Sequence, residues 1–87
     1  MIKILGKLTT DNKVLADYMY QLSEDFEIGR FDEYVKEICY HLDIPAPIVL
    51  TKHIRNFIKF NYTYFTPDDF VEKVYFEKFT LVNARTD

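Results

Sequence analysis

Between Phe31 and Phe60 the apolar residues recur at helical spacing, yet Pro45 and Pro47 stand in the middle of the run. Proline has no amide hydrogen and its ring collides with the preceding turn, so one helix cannot continue through both. Pro45 also pushes Ile44 towards an extended backbone. The run is therefore read as two helices with a corner between them. The first spans about Phe31 to Leu42, with Phe31, Val35, Ile38 and Leu42 on one face. Asp32 and Glu33 occupy its first turn, where the helix dipole favours anions. Pro47 suits the first position of the second helix, which runs to about Phe60.

The segments on either side carry the period of strands. Ile2, Ile4 and Leu8 alternate with Lys3, Lys7 and Thr9, and Thr10-Asp11-Asn12-Lys13 then supplies turn-forming residues. Val14 to Leu22 fits two patterns: Val14, Leu15, Tyr18, Met19 and Leu22 as a helical stripe, or Val14, Ala16, Tyr18 and Tyr20 as one face of a strand. The tight turn before it and its tyrosines favour a β-hairpin. Ser23 to Gly29 is an acidic connector. Beyond Asn61, Tyr62 to Phe65 is rich in β-formers, and Thr66-Pro67-Asp68-Asp69 reads as a capped start to a turn or so of helix. Tyr75 to Asn83 alternates, with Phe79 and Leu81 on one face and Lys78, Thr80 and Val82 on the other. The order predicts an α+β fold: an N-terminal β-hairpin, two consecutive helices joined by a proline corner, and C-terminal strand pairing that completes a small antiparallel sheet.

Eighty-seven residues are too few for two independent cores, so residues 1–87 are read as a single globular domain. Seven Tyr and eight Phe supply bulk to that core, and two Gly and three Pro leave little room for disordered tracts. A net charge of −3 argues against a general nucleic-acid binder. One cysteine makes no internal disulfide, so no oxidising compartment is implied. The first residues are interrupted by Lys3, Gly6 and Lys7, unlike a signal peptide, and no apolar run approaches the roughly 20 residues of a membrane span. The expected location is cytoplasmic, away from membranes.

Reactive residues are few. Cys39, His41, Asp43 and His53 are all able to ligate zinc, but at about 100° per residue Cys39 and His41 point about 160° apart on the first helix. Cys39 borders the apolar face and reads as a small core residue. A Cys39–His53 dyad would lack any glycine-rich elbow or loop of backbone donors. Gly6 and Gly29 are isolated and cannot build a phosphate-binding loop. Asp32-Glu33 and Asp68-Asp69 are adjacent in sequence and fit helix starts better than paired acid–base work. No catalytic residue, metal or cofactor is predicted.

The second helix is more informative. Lys52, Arg55 and Lys59 fall within about 60° of one another around its axis, opposite an apolar face of Leu50, Ile54, Phe57 and Ile58 with His53 at its edge. No acidic residue occurs between Asp43 and Asp68. This basic stripe is a candidate contact for phosphates or an acidic partner, unless it neutralises the acidic segments 24–33 and 68–77 of the same molecule. Tyr62 and Tyr64 follow it as candidate interface aromatics, since fifteen aromatic rings exceed what a core of this size hides. A terminal strand carrying Phe79 and Leu81 is a further candidate, able to pair with another chain's edge. The favoured function is a non-catalytic protein-interaction or self-associating domain, with a protein partner or a second copy as its ligand. The alternative is a nucleic-acid-binding module that uses the stripe, with the two helices as a helix-turn-helix.

The strings CYHLDIPAPIVLTKHIRNF and FTPDDFVEKVYFEKF resemble a group of short bacterial proteins without an assigned function. That resemblance implies an independent single-domain protein and brings no activity, cofactor or site residue with it.

Overall fold

The alternation at the start of the chain becomes a hairpin. Strand β1 (Lys3–Thr10) pairs antiparallel with β2 (Lys13–Gln21) in the computed structural model, which describes residues 3–22 and 25–84. Ile2 of the expected strand, and Ser23 and Glu24 of the expected connector, lie outside the described residues. Asp11 and Asn12 turn the chain with φ of 48° and 64°, the left-handed pair that matches the twist of a hairpin and that Asp and Asn tolerate best. The helical alternative for residues 14–22 is thereby excluded.

Helix α1 (Phe31–Leu42) follows a 3-10 turn at Ile28–Arg30 and has the predicted bounds. It stops at Asp43, left-handed with φ 56°, where the Ile44 amide donates to the Cys39 carbonyl at 3.0 Å. Helix α2 (Thr51–Phe60) starts later than predicted. Pro47 is not its first residue but lies buried in an extended run. Two bonds hold that run open: the Ile48 amide donates to the Asp69 carbonyl at 2.7 Å, and the Leu50 amide donates to His53 Nδ1 at 2.9 Å. The helix therefore begins where His53 can reach back, not where proline permits it.

Strand β3 (Tyr62–Phe65), a 3-10 turn at Pro67–Asp69 and β4 (Lys78–Asn83) complete the chain. The last strand is shorter than predicted. Its final rung pairs Lys78 with Thr9, beside the hairpin turn, and Phe76 instead packs edge-to-face on Phe70 at 5.3 Å between centroids.

All pairings are antiparallel, in the order β2-β1-β4-β3. The last strand in the chain is thus internal, with both edges paired and with Phe79 and Leu81 fully buried. It is not available to a neighbouring chain, and the outer strands are β2 and β3. Both helices pack on one face, where Ile4, Leu8, Phe65, Phe79 and Leu81 meet Phe31, Val35, Ile38 and Phe57. Gly6 lies directly under α1: a Cβ there would sit 2.6 Å from Ile38 Cγ2. Among the described residues no helix covers the other face. A row of Tyr62, Val82, Leu5 and Met19, one from each strand, crosses it. Among the described residues no helix is long and apolar enough to cross a membrane.

Candidate functional site

The chain reverses at Asn61, left-handed with φ 63°, whose amide donates to the Phe57 carbonyl at 2.9 Å. That turn lays β3 alongside α2. At the far end of the pair the His53 ring rests on Phe65, with centroids 4.3 Å apart.

A groove runs between the two elements. Asn56 and Phe60 face Tyr62, Thr63 and Tyr64 across a hollow of about 90 Å³. Lys52, His53 and Asn56 face Tyr64, Thr66 and Asp69 across a second hollow of about 160 Å³. Asn56 and Tyr64 line both, so the hollows adjoin. Thr63 points to the core side of the sheet, and Tyr62 and Tyr64 to the open side. A space that touches all three must follow the outer edge of the strand.

Backbone groups are available along that edge. The Asn83 amide donates to the Asn61 carbonyl at 2.8 Å, which makes Asn61–Asn83 a hydrogen-bonded pair. By alternation Thr63–Leu81 and Phe65–Phe79 are the next such pairs, and the amides and carbonyls of Tyr62 and Tyr64 point away from β4. The Thr63 hydroxyl is buried against the groove and has no hydrogen-bond partner among the described residues.

Of the predicted site residues, Lys52, Tyr62 and Tyr64 line this groove. Tyr62 and Tyr64 are 47% and 43% exposed on the strand side. Lys52 lines the groove itself; Arg55 and Lys59 line neither hollow and are exposed within about 60° of Lys52 around the helix axis. Lys59 Nζ lies 5.4 Å from the Phe60 ring centroid, and Lys78 Nζ lies 4.6 Å from that of Tyr64. Among the described residues the ion pairs join other side chains, and Lys52, Arg55 and Lys59 have no carboxylate within 4 Å. The apolar face of α2 is narrower than predicted: Phe57 and His53 are buried, whereas Leu50 and Ile58 are largely exposed. The displaced helix start accounts for Leu50, which precedes the first turn.

His53 is the residue that periodicity undervalued. It is 2% exposed and joins the start of α2 to the turn after β3. Nδ1 accepts the Leu50 amide, so the ring proton of the neutral form is on Nε2, which faces Asp69 Oδ2 at 3.6 Å. The same carboxylate oxygen accepts the Thr66 amide at 2.9 Å and the Thr66 hydroxyl at 3.4 Å. Burial lowers the His53 pKa below its ordinary 6.5, and Asp69 opposes that shift only in part. With both nitrogens engaged, the ring has no free lone pair for a general base. Its signal in sequence is the position three residues after Leu50, the return half of a capping box.

Cys39 is buried under α1, and desolvation pushes its thiol up to about 12, far from a thiolate at neutral pH. His41 lies elsewhere, stacked on Tyr18 at 4.2 Å with Nε2 3.7 Å from Glu37 Oε1. Among the described residues no three His, Cys, Asp or Glu side chains are grouped to hold a metal ion. Compared with family models, curated proteins and solved structures, the chain matches none.

Proposed function

We propose that the chain is a small non-catalytic interaction domain that holds another polypeptide against the flank formed by α2 and β3. The observation that carries this reading is the meeting of half-exposed tyrosines, the Lys52 end of an exposed basic stripe and an outer strand edge around one groove. Tyrosine and arginine are the side chains that protein interfaces favour, because they combine large contact area with directed polar groups. The non-catalytic part rests on the reactive groups. The Cys39 thiol is held protonated inside the core, and both nitrogens of His53 are engaged in bracing the fold.

A second reading uses the same cations for a single-stranded nucleic acid, with bases stacked on Tyr62 and Tyr64. Lys78 over the Tyr64 ring favours it, since a cation beside a stacking platform suits a phosphate chain.

One experiment separates the two. A photo-crosslinking phenylalanine analogue is placed at Tyr64 and, as a control, at the exposed Tyr40 of α1, inside living cells. The expected result is a crosslinked polypeptide from position 64 alone, lost when Lys52, Arg55 and Lys59 are all changed to Glu. Sedimentation of the purified protein tells whether that polypeptide is a second copy. Equal crosslinking from position 40, or a nuclease-sensitive product, overturns the proposal.

A further inference from the structure

Resting on the interaction reading above, we infer that the α2–β3 groove takes an extended, acidic segment of a partner polypeptide, which joins the sheet as an added strand beside β3. The two sheet edges differ in how they meet another chain. β2 has a bulge in its pairing, opposite Leu8 and Thr9, and carries Lys13 and Asp17, all devices that discourage further pairing. β3 is the run Tyr-Thr-Tyr-Phe, with no charge, no proline and no bulge.

Its outward groups are those of Tyr62 and Tyr64, each with one amide donor and one carbonyl acceptor. They lie about 6.8 Å apart, the repeat at which an antiparallel neighbour presents its own inward-facing groups. Side chains of such a strand would alternate between the groove wall and the open face of the sheet. The wall offers Asn56, able to give and accept hydrogen bonds, while the Thr63 hydroxyl lies buried beneath it.

Charge selects the occupant. Lys52 stands in the groove, and Arg55 and Lys59 are exposed within about 60° of it around the helix axis. The one carboxylate in the lining, Asp69, already accepts from Thr66 and faces His53 Nε2–H. Asp69 offsets the charge of Lys52, so the surplus positive charge comes from the exposed Arg55 and Lys59 of α2 and from Lys78 over the Tyr64 ring, which suits Glu or Asp on the incoming strand.

The probe is a fluorescent peptide of alternating Glu and Val, compared with its Lys-Val counterpart and with two Glu-Val versions N-methylated on alternate amides in either register. The Glu-Val peptide should bind, and the K52E/K59E double variant should weaken it about tenfold or more. One N-methylated register should lose binding and the other keep it. Amide exchange at Tyr62 and Tyr64 should slow about tenfold on binding. Binding that ignores N-methylation and leaves those amides unchanged would refute strand addition while the interaction reading stands. Equal binding of the Lys-Val peptide would refute the acidic preference. Protection of the same amides in a concentration-dependent dimer without peptide would give the edge to a second copy instead. If neither peptide nor copy engages and an oligonucleotide does, the interaction reading itself fails.

Discussion

The two helices are similar in length and opposite in use. α1 buries Phe31, Tyr34, Val35, Ile38 and Cys39, and its surface cations are matched locally: Lys36 with Asp32 at 3.6 Å, and Arg30 beside its start with Glu33 at 2.8 Å. α2 buries only His53 and Phe57, and among the described residues Lys52, Arg55 and Lys59 have no such partners. Exposed ion pairs are each worth little, so the difference is not chiefly one of stability. A helix whose charges are satisfied at home offers little to a partner; one whose cations point outward beside a strand edge does. α1 holds the sheet, and α2 presents a surface.

The largest effect should mark that division. Ile38 is fully buried over Gly6, so Ile38→Ala leaves a cavity between α1 and the sheet and should cost about 2–5 kcal/mol. Ile58 on α2 is 53% exposed, and Ile58→Ala should change stability by no more than about 0.5 kcal/mol. Urea denaturation of the two variants measures both. Comparable losses would mean that α2 is packed as deeply as α1, and the comparison would break.

His53 is the exception within α2, and its variant should give the second effect. His53→Phe keeps the ring against Phe65 but removes the acceptor for the Leu50 amide, which should cost about 1–3 kcal/mol. The neutral ring also makes stability depend on pH. The folded pKa is lowered from 6.5 by burial, so the unfolded chain binds the proton more readily. The contribution is fully present above 6.5 and is lost as the pH falls through the lowered folded value. Denaturation midpoints across that window should fall with acid in the parent and fall less in His53→Phe. Parallel slopes would show that the ring is not held neutral.

How much of this could be read beforehand depends on whether its cause is local. α1 was legible at both ends, because periodicity marks its face and Pro45 bars its continuation. The hairpin was legible from Asp11-Asn12 once strand and helix patterns had been weighed over residues 14–22. The start of α2 was not, because Ile48 is held by the Asp69 carbonyl, a partner far along the chain. Nor does chain order reveal sheet order: β4 comes last and yet inserts between β1 and β3, which leaves β3 outermost. Lys52, Arg55, Lys59, Tyr62 and Tyr64 were each recognisable as surface residues. That Lys52, Tyr62 and Tyr64 line one groove was not, since it depends on Asn61 adopting a left-handed turn that folds β3 back along α2. The unpartnered Thr63 hydroxyl left no trace in the sequence, being one threonine in an alternating strand.

The smallest expected effect bears most directly on what α2 is for. Lys52 lies in the first turn of a helix that has no acidic residue there, at the end where the dipole repels a cation. α1 has Asp32 and Glu33 in the equivalent turn. Replacing Lys52 with Gln removes the repulsion without adding a negative charge near Asp69, across the groove. Attraction between Lys52 and Asp69 opposes the gain, but the two form no ion pair within 4 Å, and solvent screens them. Lys52→Gln should therefore raise stability by about 0.3–1 kcal/mol at low ionic strength, a gain that salt diminishes. Paired denaturation curves at low and high salt measure it. A loss of stability instead would mean that Lys52 serves the fold through Asp69, and the contrast with α1 would weaken. A gain would identify a cation held against the preference of its own helix, which makes sense if its counter-charge arrives with the partner.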